Sequence, residues 1–168
     1  MKKIIAKVAV IGAALLGTGL AQAGADPHSH KSGHHVNPNH GMATIKSPHS
    51  VAKTLDRLEA VLKKKGITIF ARVDHGAGAE NVGIPLRPTQ VLIFGNPKLG
   101  SPMMVSQQTI GIDLPLKALA WKDEKGQVWL TYNAPAHIAR RHGISDQESI
   151  VEKMATALDK FTKAAVKP

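Results

Sequence analysis

Six polar residues in the C-terminal part of the chain have side chains that could bind or convert a small molecule. They are Asn96, Asp113, Tyr132, Asn133, Arg141 and His142. A carboxylate and an imidazole can exchange protons with a bound molecule. An arginine fork can hold a carboxylate or a phosphate through two hydrogen bonds. We expect the six side chains to line one pocket for a small ligand whose identity the sequence does not give.

Asp113 and His142 leave two further interpretations open. As the acid/base pair of a small enzyme, they would converge in a cleft within about 4–6 Å. As a structural pair, Asp113 would bond with His142 or with Arg141 inside the protein. The sequence contains no G-x-S-x-G elbow, no H-E-x-x-H pair and no P-loop. The absence of these motifs favours a binding protein over an enzyme.

A second group of chemically active side chains lies in the segment 24–41, GADPHSHKSGHHVNPNHG. Its five histidines are His28, His30, His34, His35 and His40. Neutral imidazole binds Cu, Ni and Zn, and a flexible tract can bring two or three rings to one ion. The rest of the segment is too polar to build a core, so we interpret 24–41 as a disordered linker. Weak metal capture and a plain polar tether are both compatible with this composition.

Composition excludes several classes of site. The chain has no cysteine among its 168 residues, which excludes disulfides, thiolate metal sites and cysteine nucleophiles. Its formal net charge is +10, but the lysines are dispersed and there are only three Phe, two Trp and one Tyr. Because single-stranded nucleic acid is bound by stacking on aromatic side chains, we expect no nucleic-acid partner.

The first 23 residues have the three parts of a secretory signal peptide. Lys2, Lys3 and Lys7 are followed by an apolar stretch from Val8 to Leu20, and Ala21 and Ala23 form the small-x-small cleavage pattern. The apolar stretch is shorter than the ~20 residues of a membrane-spanning helix. We therefore expect a cleaved signal over 1–23, a periplasmic protein, and no stable membrane insertion after cleavage.

The secondary-structure elements that position the six polar residues are predicted from the spacing of apolar residues and from the glycine, proline and capping residues between them. A first strand over 42–46 precedes a helix with Ser47 as its N-cap, Pro48 at its first position and Gly66 past its end. One face of this helix carries Val51, Leu55, Leu58 and Leu62. Strands are predicted over 67–75 and 89–96, with a loop over 77–86 between them.

The second half continues with a hairpin and two helices. Ser101 and Pro102 could open a short helix, and strands over 114–122 and 127–133 flank a turn that ends in Gly126. A short helix ends at Gly143, and Ser145 with Glu148 forms a capping box for the last helix. The apolar stripe of that helix is Val151, Met154, Leu158 and Phe161. Strands grouped between two helices predict a single α+β domain over 42–168, with a mostly antiparallel sheet and both main helices on one face.

Three long motifs occur in order in this domain: VLIFGNPKLGSPMM, IGIDLPLKALAWKDEKGQVWLTYNAP and ARRHGI. Together they resemble the family called domain of unknown function 302, over nearly all of 46–168. The resemblance implies a TATA-binding-protein-like β-α-β(4)-α fold and a homodimer, and it implies no reaction. Positions that match the family pattern are Gly95, Asn96, Pro97, Asp113, Leu114, Pro115, Tyr132, Asn133, Arg141 and His142. The exported, histidine-rich leader departs from the cytosolic single domains that are common in this family.

The leading functional hypothesis is a non-enzymatic periplasmic binding or stress-related module whose leader captures Cu, Ni or Zn. The first alternative is a small enzyme that uses Asp113 and His142 for proton transfer. The second is a structural subunit whose sheet edge or sheet face pairs with a partner, which an exposed apolar patch without a concave pocket would favour.

Overall fold

The structure is a computed structural model that describes residues 35–37 as backbone and residues 40–168 with their side chains. These residues belong to one compact unit, Ser32–Pro168. The strands are β1 His35–Asn37, β2 Met42–Ser47, β3 Thr68–Asp74, β4 Thr89–Gly95, β5 Leu116–Lys122 and β6 Val128–Asn133. The helices are α1 Val51–Lys64, α2 His75–Glu80, α3 Pro97–Ser106, α4 Pro135–Arg141 and α5 Glu148–Val166. A short 3₁₀ helix, Gln108–Ile112, precedes β5.

The six strands form one antiparallel sheet in the order β1-β2-β6-β5-β4-β3. The predicted α+β class is confirmed, as is the order of a strand, a main helix, four strands and a second main helix. β5 and β6 form the predicted hairpin, in which Asp123 Oδ1 accepts hydrogen bonds from the amides of Lys125 and Gln127. The chain turns there at Gly126, whose φ of 81° suits a residue without a Cβ.

The core lies between one face of the sheet and the two long helices, α1 and α5, which pack against each other. The predicted stripe of α1 is confirmed, because Val51, Leu55, Leu58 and Leu62 are all buried. They meet sheet residues of the same face, among them Ala43, Leu92, Phe94, Ala118, Ala120, Leu130 and Tyr132. Arg57 of α1 also donates to the carbonyls of Ala165 and Lys167 at the end of α5. The two helices are therefore joined by both apolar and polar contacts.

The N-cap of α1 is Ser50, and the prediction of Ser47 was wrong. Ser50 accepts a hydrogen bond from the amide of Lys53, as an N-cap does. Ser47 instead ends β2, is buried, and bonds to the hydroxyl of Thr54 at 2.6 Å. Two serines three residues apart offer the same capping chemistry, so only the length of β2 decides between them.

Helix α3 begins earlier than predicted, at Pro97 rather than at Ser101. Asn96 Oδ1 accepts the amide of Lys98 at 3.0 Å, and Pro97 occupies the first turn, where its missing N–H is no loss. Pro102 consequently lies inside the helix. The Gly-Asn-Pro sequence, which reads as a turn, is thus the end of a strand followed directly by a helix cap.

Three other local features differ from prediction. The segment predicted as a loop over 77–86 contains most of α2, capped by Asp74. The last helix begins at Glu148 with Gln147 as its N-cap and no side-chain cap bond, so the capping box of Ser145 and Glu148 was wrong. The linker 24–41 contains β1, which pairs with β2. Backbone pairing at an edge needs no apolar side chains, so a polar composition does not reveal such a strand.

Within residues 35–37 and 40–168, no helix combines the length and apolar character that crossing a membrane requires.

Candidate functional site

Asp113, Arg141 and His142 form one cluster between the 3₁₀ helix and the end of α4. Asp113 Oδ2 lies 2.7 Å from His142 Nε2, and Asp113 Oδ1 lies 3.3 Å from Arg141 Nη1. Since a carboxylate only accepts, His142 Nε2 carries the proton in this pair. His142 Nδ1 lies 3.1 Å from the hydroxyl of Thr109, which can donate to it. The side chains of His142 and Asp113 are 9% and 13% exposed, whereas that of Arg141 is 61% exposed.

The cluster meets the distance that the acid/base hypothesis requires, but its groups are directed at one another. Each Asp113 oxygen has a partner, and both ring nitrogens of His142 have one. Neither residue lines either of the two cavities described below. The arrangement therefore fits a structural role, in which these hydrogen bonds hold the 3₁₀ helix against α4.

The remaining predicted ligand residues lie elsewhere, so the six do not line one pocket. Asn96 caps α3 and lines an apolar cavity. Tyr132 is buried on the helix side of the sheet, and Asn133 is exposed at the end of β6. Burial raises the pKa of Tyr132 to about 12, the negative charge of Asp159 adds to this rise, and a hydrogen bond with Thr162 opposes it.

Three of the five proposed metal ligands, His28, His30 and His34, lie outside the described residues, and only the backbone of His35 is described. His40 is exposed. In the part of the chain that the structure describes, no group of three or more His, Asp or Glu side chains is placed to hold a metal ion.

One concave feature is a cavity of about 360 Å³ between α3, α5 and one end of the sheet. We call it the apolar cavity. It is lined by Ile67, Phe70, Phe94, Gly95, Asn96, Pro97, Leu99, Gly100, Ser101, Met104, Leu114, Pro115, Leu116, Met154, Ala157, Leu158 and Phe161. Asn96 and Ser101 are the two lining residues with polar side chains, and no charged side chain lines it.

The junction of β4 and α3 forms one side of the apolar cavity. β4 ends at Gly95, and α3 starts almost at once, so the chain turns away from the sheet there. A Cβ at Gly95 would lie 3.4 Å from both the ring of Phe70 and the side chain of Pro115, which shows how closely these groups approach. Phe70 lies at a register shift in β3 and is 55% exposed at the cavity. Periodicity predicts Met154, Leu158 and Phe161 only as an apolar stripe, because it shows a buried face and not a void beside it.

A second, more open cleft of about 610 Å³ lies where α1 begins. Its lining is mixed, and several of its polar groups already have partners. Gln127 Nε2 donates to the carbonyls of Ser47 and Val128, and Ser50 caps α1.

Comparison with known proteins places this architecture in a family. The family model described as "Domain of unknown function DUF302" matches residues 43–161. This chain belongs to the DUF302 family. The resemblance found in the three motifs is thus confirmed, and the match covers the sheet from β2 onward, the apolar cavity and the Asp113 cluster.

A solved DUF302 structure and two curated relatives are similar to the chain. The crystal structure of an uncharacterized conserved DUF302 protein from Bacillus stearothermophilus has a TM-score of 0.60 and 19% identity, over 75% of this chain and 95% of that one. Fluoride-specific ion channel FluC 1 of Brucella suis biovar 1 and FluC 2 of Brucella melitensis biotype 1 are each 47% identical over 126 residues. The match covers 74% of this chain but 50% and 47% of those proteins, so this DUF302 chain spans about half their length.

Proposed function

We propose that this DUF302 domain is a non-catalytic binding module that takes a small apolar molecule into the apolar cavity. The observation that carries the proposal is the cavity of about 360 Å³ with apolar walls and two polar side chains. Small-molecule sites have volumes of roughly 300–1,000 Å³ and few polar groups among apolar walls. The cavity matches this description in both respects.

The energetics of the lining support binding. Phe70 is more than half exposed and Met104 is also exposed, although both are large apolar side chains. A ligand that covers them removes apolar surface from water, which stabilises the complex by about 25 cal/mol for each Å² buried. Met154, Leu158 and Phe161 of α5 line the same cavity and add apolar contacts.

Binding accounts for the site better than the two alternatives. Proton transfer requires an acid or base next to the substrate, and no Asp, Glu, His, Lys or Arg lines the cavity. Asp113 and His142 bond to each other away from it. A purely structural subunit would be favoured by an exposed apolar patch without a concave pocket, whereas this domain has a pocket.

We expect the substitution Ala157→Phe to weaken binding of a neutral, environment-sensitive naphthylamine dye by at least about tenfold. Ala157 lines the cavity from α5, so a phenyl ring there takes up the ligand's space. A loss of about 1.4 kcal/mol of contact energy corresponds to the tenfold change. Dye fluorescence titrated against the full chain measures the dissociation constant.

The matched control is Thr156→Phe, which adds the same ring to an exposed neighbouring position of α5 outside the cavity lining. It should leave dye binding unchanged, and circular dichroism should show both variants folded. Equal dye affinity in the original chain and the folded Ala157→Phe variant would refute the proposal.

We also propose that the module is exported to the periplasm, works as a homodimer, and carries a leader that captures Cu, Ni or Zn. The supporting observations are the signal-like residues 1–23 and the five leader histidines. Native mass spectrometry of protein from the envelope fraction should show a start after Ala23, a dimer mass, and metal that is lost when the five histidines are replaced by serine. An intact initiator segment or a monomer mass would contradict the corresponding part. The name "fluoride-specific ion channel" belongs to the curated relatives, of which the shared part is about half.

A further inference from the structure

We propose that the ligand of the apolar cavity is an amphiphile with one apolar chain and a head group that accepts hydrogen bonds, either uncharged or anionic. The head lies at the rim formed by Asn96 and Ser101, and the chain fills the space along α5. This inference rests on the proposed binding function and adds the chemical class of the ligand.

The interior of the cavity accepts only an apolar chain. The lining has no charged side chain, and an unpaired charge placed against apolar walls is strongly disfavoured. A polar head must therefore remain at the rim. Each methylene that enters the cavity should tighten binding about fourfold, and the gain should stop once the chain outgrows about 360 Å³.

Asn96 is half-buried and Ser101 is exposed, so we place both polar lining residues at the rim of the cavity. The side chain of Asn96 can donate a hydrogen bond there, because its oxygen is already used as an acceptor. The side-chain oxygen of Asn96 accepts a hydrogen bond from the amide of Lys98 at 3.0 Å. Its main-chain carbonyl accepts hydrogen bonds from the amides of Leu99 and Gly100, both at 3.0 Å. Within the described residues, the Asn96 carboxamide N–H groups and the Ser101 hydroxyl have no hydrogen-bond partner. Each can donate to a ligand oxygen.

The charge of the protein also favours a head group that is uncharged or anionic. A cationic head would find no carboxylate in the lining and would meet a chain whose net charge is positive with or without residues 1–23. A carboxylate, hydroxyl or carbonyl head meets a free amide donor and no opposing charge. We therefore expect the cavity to bind an amphiphile with an oxygen-containing head group more tightly than an ammonium amphiphile of equal chain length.

The test is displacement of the naphthylamine dye from the full chain by decanoate, decanol and decylammonium below their micelle concentrations. We expect decanoate and decanol to displace the dye at concentrations at least about tenfold lower than decylammonium, the size expected when one hydrogen bond to a head group is lost or gained. The variant Asn96→Asp keeps a good N-cap acceptor but replaces the donor by a negative charge. This variant should bind decanoate at least about tenfold more weakly and decylammonium more tightly than the original chain does.

Asn81→Asp is the matched control, since it makes the same chemical change at an exposed position outside the cavity lining. It should leave the order of the three compounds as it is in the original chain. Suppose that the three compounds displace the dye at equal concentrations, that Asn96→Asp does not change this, and that Ala157→Phe still blocks dye binding. That result overturns the assigned ligand class and leaves the binding function standing. Failure of the dye and of all three compounds to bind overturns both proposals.

Discussion

Replacing Leu58 with alanine should lower the free energy of unfolding by about 2–5 kcal/mol. Leu58 is 0% exposed, in the middle of α1, and belongs to the core cluster between that helix and the sheet. The loss combines the transfer energy of the removed methyl groups with the cavity left behind. Helix propensity does not contribute to it, because alanine is at least as good a helix former as leucine. Since domains are stable by only about 5–15 kcal/mol, the effect is large.

Urea unfolding followed by tryptophan fluorescence measures this change. Leu86→Ala is the control, because Leu86 is 47% exposed and its truncation should change stability by no more than about 0.5 kcal/mol. A Leu58→Ala variant within about 1 kcal/mol of the original chain would mean that α1 does not pack on the sheet as described.

The single tyrosine of the chain should titrate near pH 12 in the folded protein rather than near its ordinary value of 10. Burial of Tyr132 on the helix side of the sheet favours its neutral form, which raises its pKa to about 12. Between pH 10 and pH 12 the folded state then holds a proton that the unfolded state has lost. Stability is therefore complete below pH 10 and falls as pH rises to 12, by on the order of 2–3 kcal/mol.

Tyrosinate absorbance in the near ultraviolet follows this group alone, because no other tyrosine contributes. Circular dichroism on the same samples reports whether the chain is still folded. Tyr132→Phe should abolish the absorbance change and should flatten the part of the alkaline stability loss that this group causes. An inflection near pH 10 while the protein remains folded would show that Tyr132 is not buried as described.

The long elements could be predicted from the sequence because their signals are repeated many times. Four apolar residues at helical spacing fixed the buried face of α1, and all four are buried. Alternation and β-branched residues located β3, and a short apolar run located β4, each to within one residue at either end. The short elements could not be predicted in this way. Ser47 and Ser50 offer equal caps for α1, and Gly-Asn-Pro suits a turn as well as it suits the cap of α3.

The site was predicted only in part, for a different reason. Asp113 and His142 do meet, as two of the sequence interpretations expected, yet the bonds among Asp113, Arg141, His142 and Thr109 depend on where α4 ends beside the 3₁₀ helix. Tyr132 and Asn133 are consecutive on β6 and therefore point to opposite faces of the sheet. One pocket could not hold both. The apolar cavity was missed because side-chain patterns predict burial and say nothing about unfilled volume.

The most direct test of the binding account is a crystal structure of the full chain grown with decanoate carrying bromine at the end of its chain. We predict an anomalous bromine peak inside the apolar cavity, beside Met154 or Phe161, with the carboxylate within hydrogen-bond distance of the Asn96 amide. Bromine in the cleft at the start of α1, bromine on the opposite face of the sheet, or an empty cavity at saturating ligand would contradict the account.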